Sequence, residues 1–335
     1  MIAVDPLIPS TPPLVTPAGL ARVEFGAMGT DVEVLVPTGR EADTSTVVTT
    51  FAAWERRCSR FDPESELTRL NAHAGAPAIV SAGLFDAVAA ALDAARATDG
   101  IFDPTILHRL EDLGYDRTFA AIRAGDPGGD IAGSRRPVAP APWVGAWRRV
   151  RLDRPTRTID LPAGIGLDLG GIAKGMAVDA ALGALVDRGV DVAAVNAGGD
   201  LAVRGTPPDA DAWWVAVETA DGGEPVAVRH GALATSSTAR RRWRRGGRTL
   251  HHLVDPRTGL PSASGLVSVT AAAHTCVQAE VAAKAALVLG LADGAALLSR
   301  AGISALAIGE DGTRHHIGGL IEPGAPVVPG GGTAT

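Results

Sequence analysis

The sequence predicts an α+β fold in which antiparallel sheets carry packed helices, and three observations lead there. Strand-like segments outnumber helical ones, most connections between them are short, and alternating apolar and polar runs mark sheet with one buried face. With 335 residues, 46% of them apolar, the chain can build a sizeable core as one large domain or two modest ones.

Thr30 to Val36 alternates as a half-buried strand, and Ser45 to Arg57 reads as the helix after it. Leu84, Val88, Leu92 and Ala95 recur on one helical face, and Gly100 supplies a C-terminal stop. Trp147 to Leu152 and Thr158 to Leu161 read as strands. Leu167 to Gly175 is a glycine-rich turn opening a helix that runs to about Asp187. Short strands follow around Ala193 to Val195, Leu201 to Val203, Trp214 to Val217 and Gly231 to Thr235. Leu266 to Ala271 closes the strand series, and Val277 to Leu289 forms a helix. The Pro-rich opening, residues 1–18, and the Pro/Gly-rich close, residues 321–335, are expected to be mobile tails. Between them, residues 19–320 are expected to form one domain, interrupted by an irregular stretch at about 123–142 that is a surface loop or a lobe boundary.

Composition excludes several function classes. Against 31 basic residues stand 37 acidic ones, a net charge of −6, so nothing in bulk electrostatics attracts nucleic acid or an anionic membrane. The opening residues carry neither a basic start nor an apolar run, and no segment reaches the ~18 apolar residues of a spanning helix. A cytoplasmic protein is the expectation. Cys58 and Cys276 are expected to be free thiols in a reducing compartment.

Four segments carry chemistry, each with a plain structural reading beside the functional one. Asp168-Leu-Gly-Gly-Ile-Ala-Lys-Gly175 places small residues where a strand gives way to a helix, the outline of an anion cradle, though a tight turn alone would also need glycine. It matches neither the Walker A loop nor the Rossmann fingerprint. Asn196-Ala-Gly-Gly-Asp200 suits a hairpin turn between two strands. His252-Leu-Val-Asp-Pro-Arg-Thr-Gly259 sets an imidazole beside a carboxylate at a turn, where it could take a proton from a hydroxyl or serve only the turn. Arg240 to Arg248 is a basic cluster that reads as a solvated hairpin, with a phosphate or acidic-segment landing site as the sharper option.

Order and spacing change how these segments read. Met28-Gly-Thr30, Arg60 to Leu67 with Asn71, Asp99 to Thr105, Asp168 to Asp179, Asn196 to Leu201, Ala234-Thr-Ser236, His252 to Gly259 and Ser268-Val-Thr270 follow one another in a pattern that resembles the ApbE family of FAD:protein FMN transferases. The resemblance spans about Phe25 to Ile317. It implies a related α+β fold of two similar halves, of the T-fold kind, and transfer of FMN from FAD to a Ser or Thr hydroxyl of an acceptor protein, releasing AMP. It implies FAD contacts from Met28, Phe61, Ile101, Phe102, Asp103, Asp168, Lys174 and Leu253. His252 would activate the acceptor hydroxyl, and the Gly171 carbonyl would lie at a magnesium ion on the pyrophosphate. Phe61 and Met28 suit an apolar slot for a flavin ring.

The sequence departs from the family pattern at two positions. Where relatives commonly carry an Asp and, four residues later, a Thr as magnesium ligands, this chain has Glu280 and Lys284. On a helix these share one face, either as a surface ion pair or with Glu280 reaching a cation and the Lys284 ammonium lying near the pyrophosphate. An FAD pyrophosphatase, with water as acceptor, and a non-catalytic flavin-binding protein are the other activities this pattern permits.

Overall fold

The computed structural model describes Leu14 and residues 16–125, 144–219 and 223–319. Strand β1 (Leu20–Ala27) turns into β2 (Thr30–Pro37), and helix α1 (Thr44–Cys58) follows. A long insertion carries α2 (Glu66–Ala72), β3 (Pro77–Ile79), α3 (Ala82–Ala97), α4 (Leu107–Asp112), α5 (Phe119–Gly125), β4 (Arg151–Asp153) and β5 (Thr158–Asp160). The chain then returns through α6 (Ala173–Val186) to the hairpin β6 (Ala193–Ala197) and β7 (Asp200–Arg204). A second hairpin, β8 (Trp213–Val217) and β9 (Glu224–Val228), precedes β10 (Gly231–Ser237). Two more small hairpins, β11 (Arg242–Arg245) with β12 (Arg248–His251) and β13 (Val254–Asp255) with β14 (Leu260–Pro261), lead to β15 (Leu266–Ala273). Helices α7 (Cys276–Leu289) and α8 (Leu291–Arg300) and strands β16 (Ser304–Gly309) and β17 (Arg314–Ile317) complete it.

Eight strands form one antiparallel sheet in the order β1-β2-β6-β7-β10-β15-β16-β17. This is an α+β fold, as the alternation predicts, and its two halves repeat. Each half reads strand-strand-helix-helix-strand-strand: β1, β2, α1, α6, β6, β7 in the first and β10, β15, α7, α8, β16, β17 in the second. The halves join where β7 pairs with β10, Leu201 opposite Leu233.

Both faces of the sheet are covered. Val32, Val34 and Val36 of β2 pack against Val47 and Phe51 of α1 and Val178 of α6. Leu35, on the opposite face, joins Leu201, Leu233 and Leu306 under Trp213, Val226 and Val228 of the β8–β9 hairpin. The expectation of a half-buried strand at Thr30 to Val36 is therefore corrected. Its one buried charge, Glu33, accepts from the Leu14 N–H at 3.1 Å and meets Arg22 at 2.8 Å. Leu14 itself is buried, so part of the segment expected to be a tail packs into the fold. Residues 1–13, 15 and 321–335 of the expected tails and most of the irregular stretch fall outside the described residues, although residues 123–125 close α5.

Two further expectations change. Trp147 to Leu152 is not one strand: Ala146–Arg149 is a 3-10 turn and only Arg151–Asp153 pairs. A strand would set Trp147, Arg149 and Arg151 on one face. The tighter turn buries Trp147 in the α3 core and leaves Arg148 and Arg149 outside. No strand runs directly into the glycine-rich turn either, where only Gly166 bridges to Ile106. The Asn71 side chain takes a strand's place, accepting from the Leu167 N–H at 2.8 Å and donating to the Leu167 carbonyl at 2.9 Å.

Helices α6 and α7 cross closely beside the seam between the halves. Each caps the other's N-terminus. Asp179 of α6 accepts from the N–H groups of Cys276 and Val277 at 2.8 and 3.1 Å, and Glu280 of α7 accepts from the Gly175 N–H at 2.9 Å. The positive end of each helix thereby faces a carboxylate of its neighbour.

Candidate active site

A cavity of about 430 Å³ opens at this crossing. Its walls come from the insertion between α1 and α6, from the start of α6, from α7 and from the loop after β12. The structure places Met28, Phe61, Ile101, Phe102, Asp103, Asp168, Gly171, Lys174, His252, Leu253 and Lys284 on its lining. Glu280 alone of the sequence-predicted site residues lies behind the wall.

On the α6 side, Asp168 is fixed by its own turn and by a cation. Its Oδ1 accepts from the Gly170 N–H at 2.7 Å, and its Oδ2 pairs with Arg60 Nε at 2.7 Å. The Arg60 guanidinium lies over the rings of Phe61 and Tyr115, 4.1 and 4.4 Å from their centroids. Its buried Nη2 has no hydrogen-bond partner among the described residues. Gly170, Gly171 and the first turn of α6, whose N-cap residue Ile172 supplies no side-chain cap, face the same space. Backbone N–H groups at such a helix start favour an anion.

Lys174 lines the cavity, yet its ammonium is already engaged. It pairs with Asp200 Oδ2 and, at 3.2 Å, with Glu280 Oε1. Burial works against the charge on Lys174, but the two carboxylates outweigh it and raise its pKa. Asp200 thus does more than finish the Asn196 to Asp200 turn, which is the hairpin the sequence predicts, with Gly198 and Gly199 at φ 63 and 98. It holds the β6–β7 hairpin to the start of α6.

The His252 to Gly259 segment separates into two parts. The expected imidazole–carboxylate neighbourhood does not form, because Asp255 binds Arg257 instead, at 2.9 to 3.2 Å through both oxygens. The Arg109 Nε donates to the Gly259 carbonyl and closes the turn. His252 faces the cavity with a buried Nδ1 that has no partner among the described residues. Burial pulls its pKa well below the usual imidazole range, and Arg241, Lys284, His251 and Lys174 push the same way. Neutral at pH 7, it can accept a proton. The neighbouring His251 is tied down: its Nδ1 accepts from the Leu253 N–H at 3.3 Å, so its Nε2–H donates to the Ser262 carbonyl at 3.1 Å.

The chain that carries this cavity is similar to known proteins. The family model described as the ApbE family matches residues 28–307. The chain belongs to the ApbE family. A relative from Treponema pallidum, named FAD:protein FMN transferase, is 30% identical over 77% of this chain and 75% of its own length. Another of that name, from Rhodobacter capsulatus, is 31% identical over 90% of this chain and 57% of its own. Among solved structures, the ApbE protein of Thermotoga maritima superposes with a TM-score of 0.77 at 25% identity, covering 89% of this chain and 97% of that one. The flavin transferase ApbE of Vibrio cholerae gives 0.73 at 24% identity, a likeness of fold.

Magnesium is the expectation this ApbE chain does not meet at the residues named for it. Both Glu280 oxygens are committed, one to Lys174 and one to the Gly175 N–H. The Lys284 ammonium occupies the space over Gly171, where a built methyl group would run into Nζ and lie 3.1 Å from the Phe102 ring. A charged lysine has no lone pair for a metal. Among the described residues no group of three or more His, Cys, Asp or Glu side chains is placed to hold a metal ion. Nor are Glu280 and Lys284 a surface pair, since Glu280 is buried and its ion-pair partner is Lys174.

Sequence reasoning overlooked Tyr115 and Phe119, which line the ApbE cavity, and Arg109, which closes the Gly259 turn; Arg241, also on the lining, belongs to the basic cluster read mainly as a solvated hairpin. Arg60 stood in a matched segment, but nothing in its spacing shows that its charge would lie against two rings. The basic hairpin β11–β12 is not merely solvated. Trp243 is buried against Tyr115, with Nε1 donating to the Leu113 carbonyl at 2.8 Å, so the hairpin braces the aromatic wall and turns Arg242, Arg244 and Arg248 outward.

Proposed function

We propose that this chain transfers FMN from FAD to a Ser or Thr hydroxyl of an acceptor flavoprotein and releases AMP. The observation that carries the reading is a single cavity in which a neutral, buried histidine faces a cationic, glycine-lined helix start. Two relatives at 30% identity or above carry the matching name.

In this mechanism Phe61, Met28, Ile101 and Phe102 form the apolar slot for the isoalloxazine ring, and no redox step is needed of it. Gly170, Gly171 and the start of α6 receive the pyrophosphate, with Arg60 and Lys284 as nearby positive charge. His252 takes the proton of the acceptor hydroxyl as that oxygen bonds to the FMN-side phosphorus. The phosphoanhydride bond breaks on the far side of that phosphorus, and AMP leaves with its own phosphate. Asp168 acts as a positioning residue, through Arg60 and the Gly170 turn.

Residues 19–320 are read as a single transferase domain, a reading supported by the sheet that runs unbroken across both halves. Two buried, unpaired thiols, Cys58 and Cys276, suit the reducing cytoplasm. Among the described residues no helix is long and apolar enough to cross a membrane.

The test is mass spectrometry of a Ser/Thr-bearing acceptor domain after incubation with FAD and this protein, with AMP measured in parallel. A mass gain equal to FMN less water, matched by AMP, is expected. AMP and free FMN without a labelled acceptor would make the protein a pyrophosphatase. FAD binding with no AMP would make it a flavin-binding protein.

A further inference from the structure

Four charged side chains meet where α6 crosses α7, and they are not used alike. Lys174, Asp200 and Glu280 lie within ion-pair distance, two carboxylates on one ammonium, and the second Glu280 oxygen is taken by the Gly175 N–H. Lys284 stands apart from that cluster. No carboxylate lies within 4.0 Å of its Nζ among the described residues, and it extends over Gly171 into the cavity, 5.7 Å from the centre of the Phe102 ring. Burial lowers its pKa, with Lys174 adding to the effect and Glu280, Asp168 and Asp200 opposing it. An ammonium that extends into the cavity with no carboxylate within ion-pair distance keeps its N–H donors free for a ligand anion.

We propose that Lys284 is a resident cation that does at the FAD pyrophosphate what a divalent metal would otherwise do, so that transfer by this chain requires no magnesium. The inference rests on reading Gly171 and the α6 start as the pyrophosphate site. Three observations converge on it. Nζ fills the space over Gly171, Glu280 is withdrawn from the cavity into the Lys174 pair, and Arg60 presents an unpartnered guanidinium nitrogen beside the same turn. In the step itself the acceptor O–P bond forms and its proton passes to His252. The anhydride bond breaks, and the negative charge that grows on the departing AMP oxygen is met by the Lys284 ammonium. No metal enters the balance, and no electrons are exchanged with a cofactor.

The experiment compares wild type, Lys284→Met and Lys284→Arg, each stripped with EDTA. FAD and riboflavin binding are measured by flavin fluorescence, with and without added Mg²⁺, and AMP release is followed with an acceptor present. Wild type should bind FAD and release AMP equally well in EDTA and in Mg²⁺. Lys284→Met should weaken metal-free FAD binding about 10- to 100-fold, the effect of losing a charge-assisted hydrogen bond. Riboflavin, which lacks the pyrophosphate, should bind that variant as it binds wild type, showing the ring slot intact. Lys284→Arg should keep most of the FAD affinity. If EDTA weakens FAD binding to wild type and Mg²⁺ restores it, the inference is overturned. FAD binding unchanged in Lys284→Met would overturn it too. Metal-free FAD binding that depends on Lys284, with no AMP released under any condition, would support the cation assignment and remove the transferase reading instead.

Discussion

His252 shows how a single residue's surroundings prepare it for its task. A base must be unprotonated, and burial together with Arg241, Lys284, His251 and Lys174 keeps this imidazole neutral. His252→Ala should therefore lower transfer by about 10²- to 10⁴-fold while FAD binding stays within experimental reach of wild type. Kinetics and fluorescence titration on the same preparation check both halves. In wild type the acid limb of the rate profile should lie below pH ~6.5, the ordinary imidazole value, because the folded group resists protonation. Stability has its own pH dependence. As pH falls through ~6.5 the unfolded chain gains protons at His251 and His252 that the folded chain does not, so stability present at neutral pH is lost on acidification. Urea unfolding from pH 7 down to pH 5 should show that loss, and a smaller one in His252→Ala. An acid limb above pH 7 would mean that another group titrates in the transfer step.

Among the elements, the α6–α7 crossing sets the site, and one glycine permits it. A Cβ at Gly175 would lie 2.9 Å from Val277 N and 3.0 Å from the Cys276 carbonyl, both backbone atoms that cannot swing aside. Gly175→Val should cost about 1–3 kcal/mol, as overpacking does, and should disturb Lys174 and Lys284 together. Gly183, on the exposed side of the same helix, has open space around it, and Gly183→Ala should stabilise by roughly 0.5–1 kcal/mol. Opposite signs in chemical denaturation would confirm that α6 tolerates side chains everywhere except at its crossing. The same crossing marks the limit of what the sequence discloses. Helix α3 and strands β2, β6 and β10 are legible because periodicity is a local property, and the hairpin at Asn196 to Asp200 because turn chemistry is local as well. The Trp147 stretch misleads because a 3-10 turn and a strand differ only in which neighbours leave the core. Asp255 reads as a partner for His252 along the chain, yet Arg257, two residues on, captures it. Lys174 and Glu280 lie 106 positions apart. Their pairing, which removes Glu280 from the cavity, is a property of helix packing that no local pattern contains.

In the molecule as a whole, the cavity draws on both halves of the sheet and on the insertions each half carries. Phe61, Phe102 and Asp168 come from the first insertion, Arg241 and His252 from the second, and Lys284 from the helix that belongs to the second half. A ligand that touches all of them ties the halves together, and it stabilises the fold in proportion to its occupancy of the folded state. At a free concentration of a hundred times Kd that stabilisation is about 2.7 kcal/mol. FAD spans the ring slot and the α6 start, whereas FMN fills the slot and offers only one phosphate, and AMP reaches the helix start without the ring. FAD at a given concentration should therefore raise the unfolding midpoint more than FMN or AMP does at the same concentration. Differential scanning fluorimetry would read the three ligands side by side, using the Trp signal to avoid flavin emission. Removing the α6 contribution should erase the difference. In Gly171→Ala the added methyl runs into the flexible end of Lys284 and comes only within 3.1 Å of the Phe102 ring, so FAD should lose its advantage over FMN while the FMN shift largely survives. Equal shifts from FAD and FMN in wild type would place the pyrophosphate away from Gly171, and with it the charge that Lys284 is there to meet.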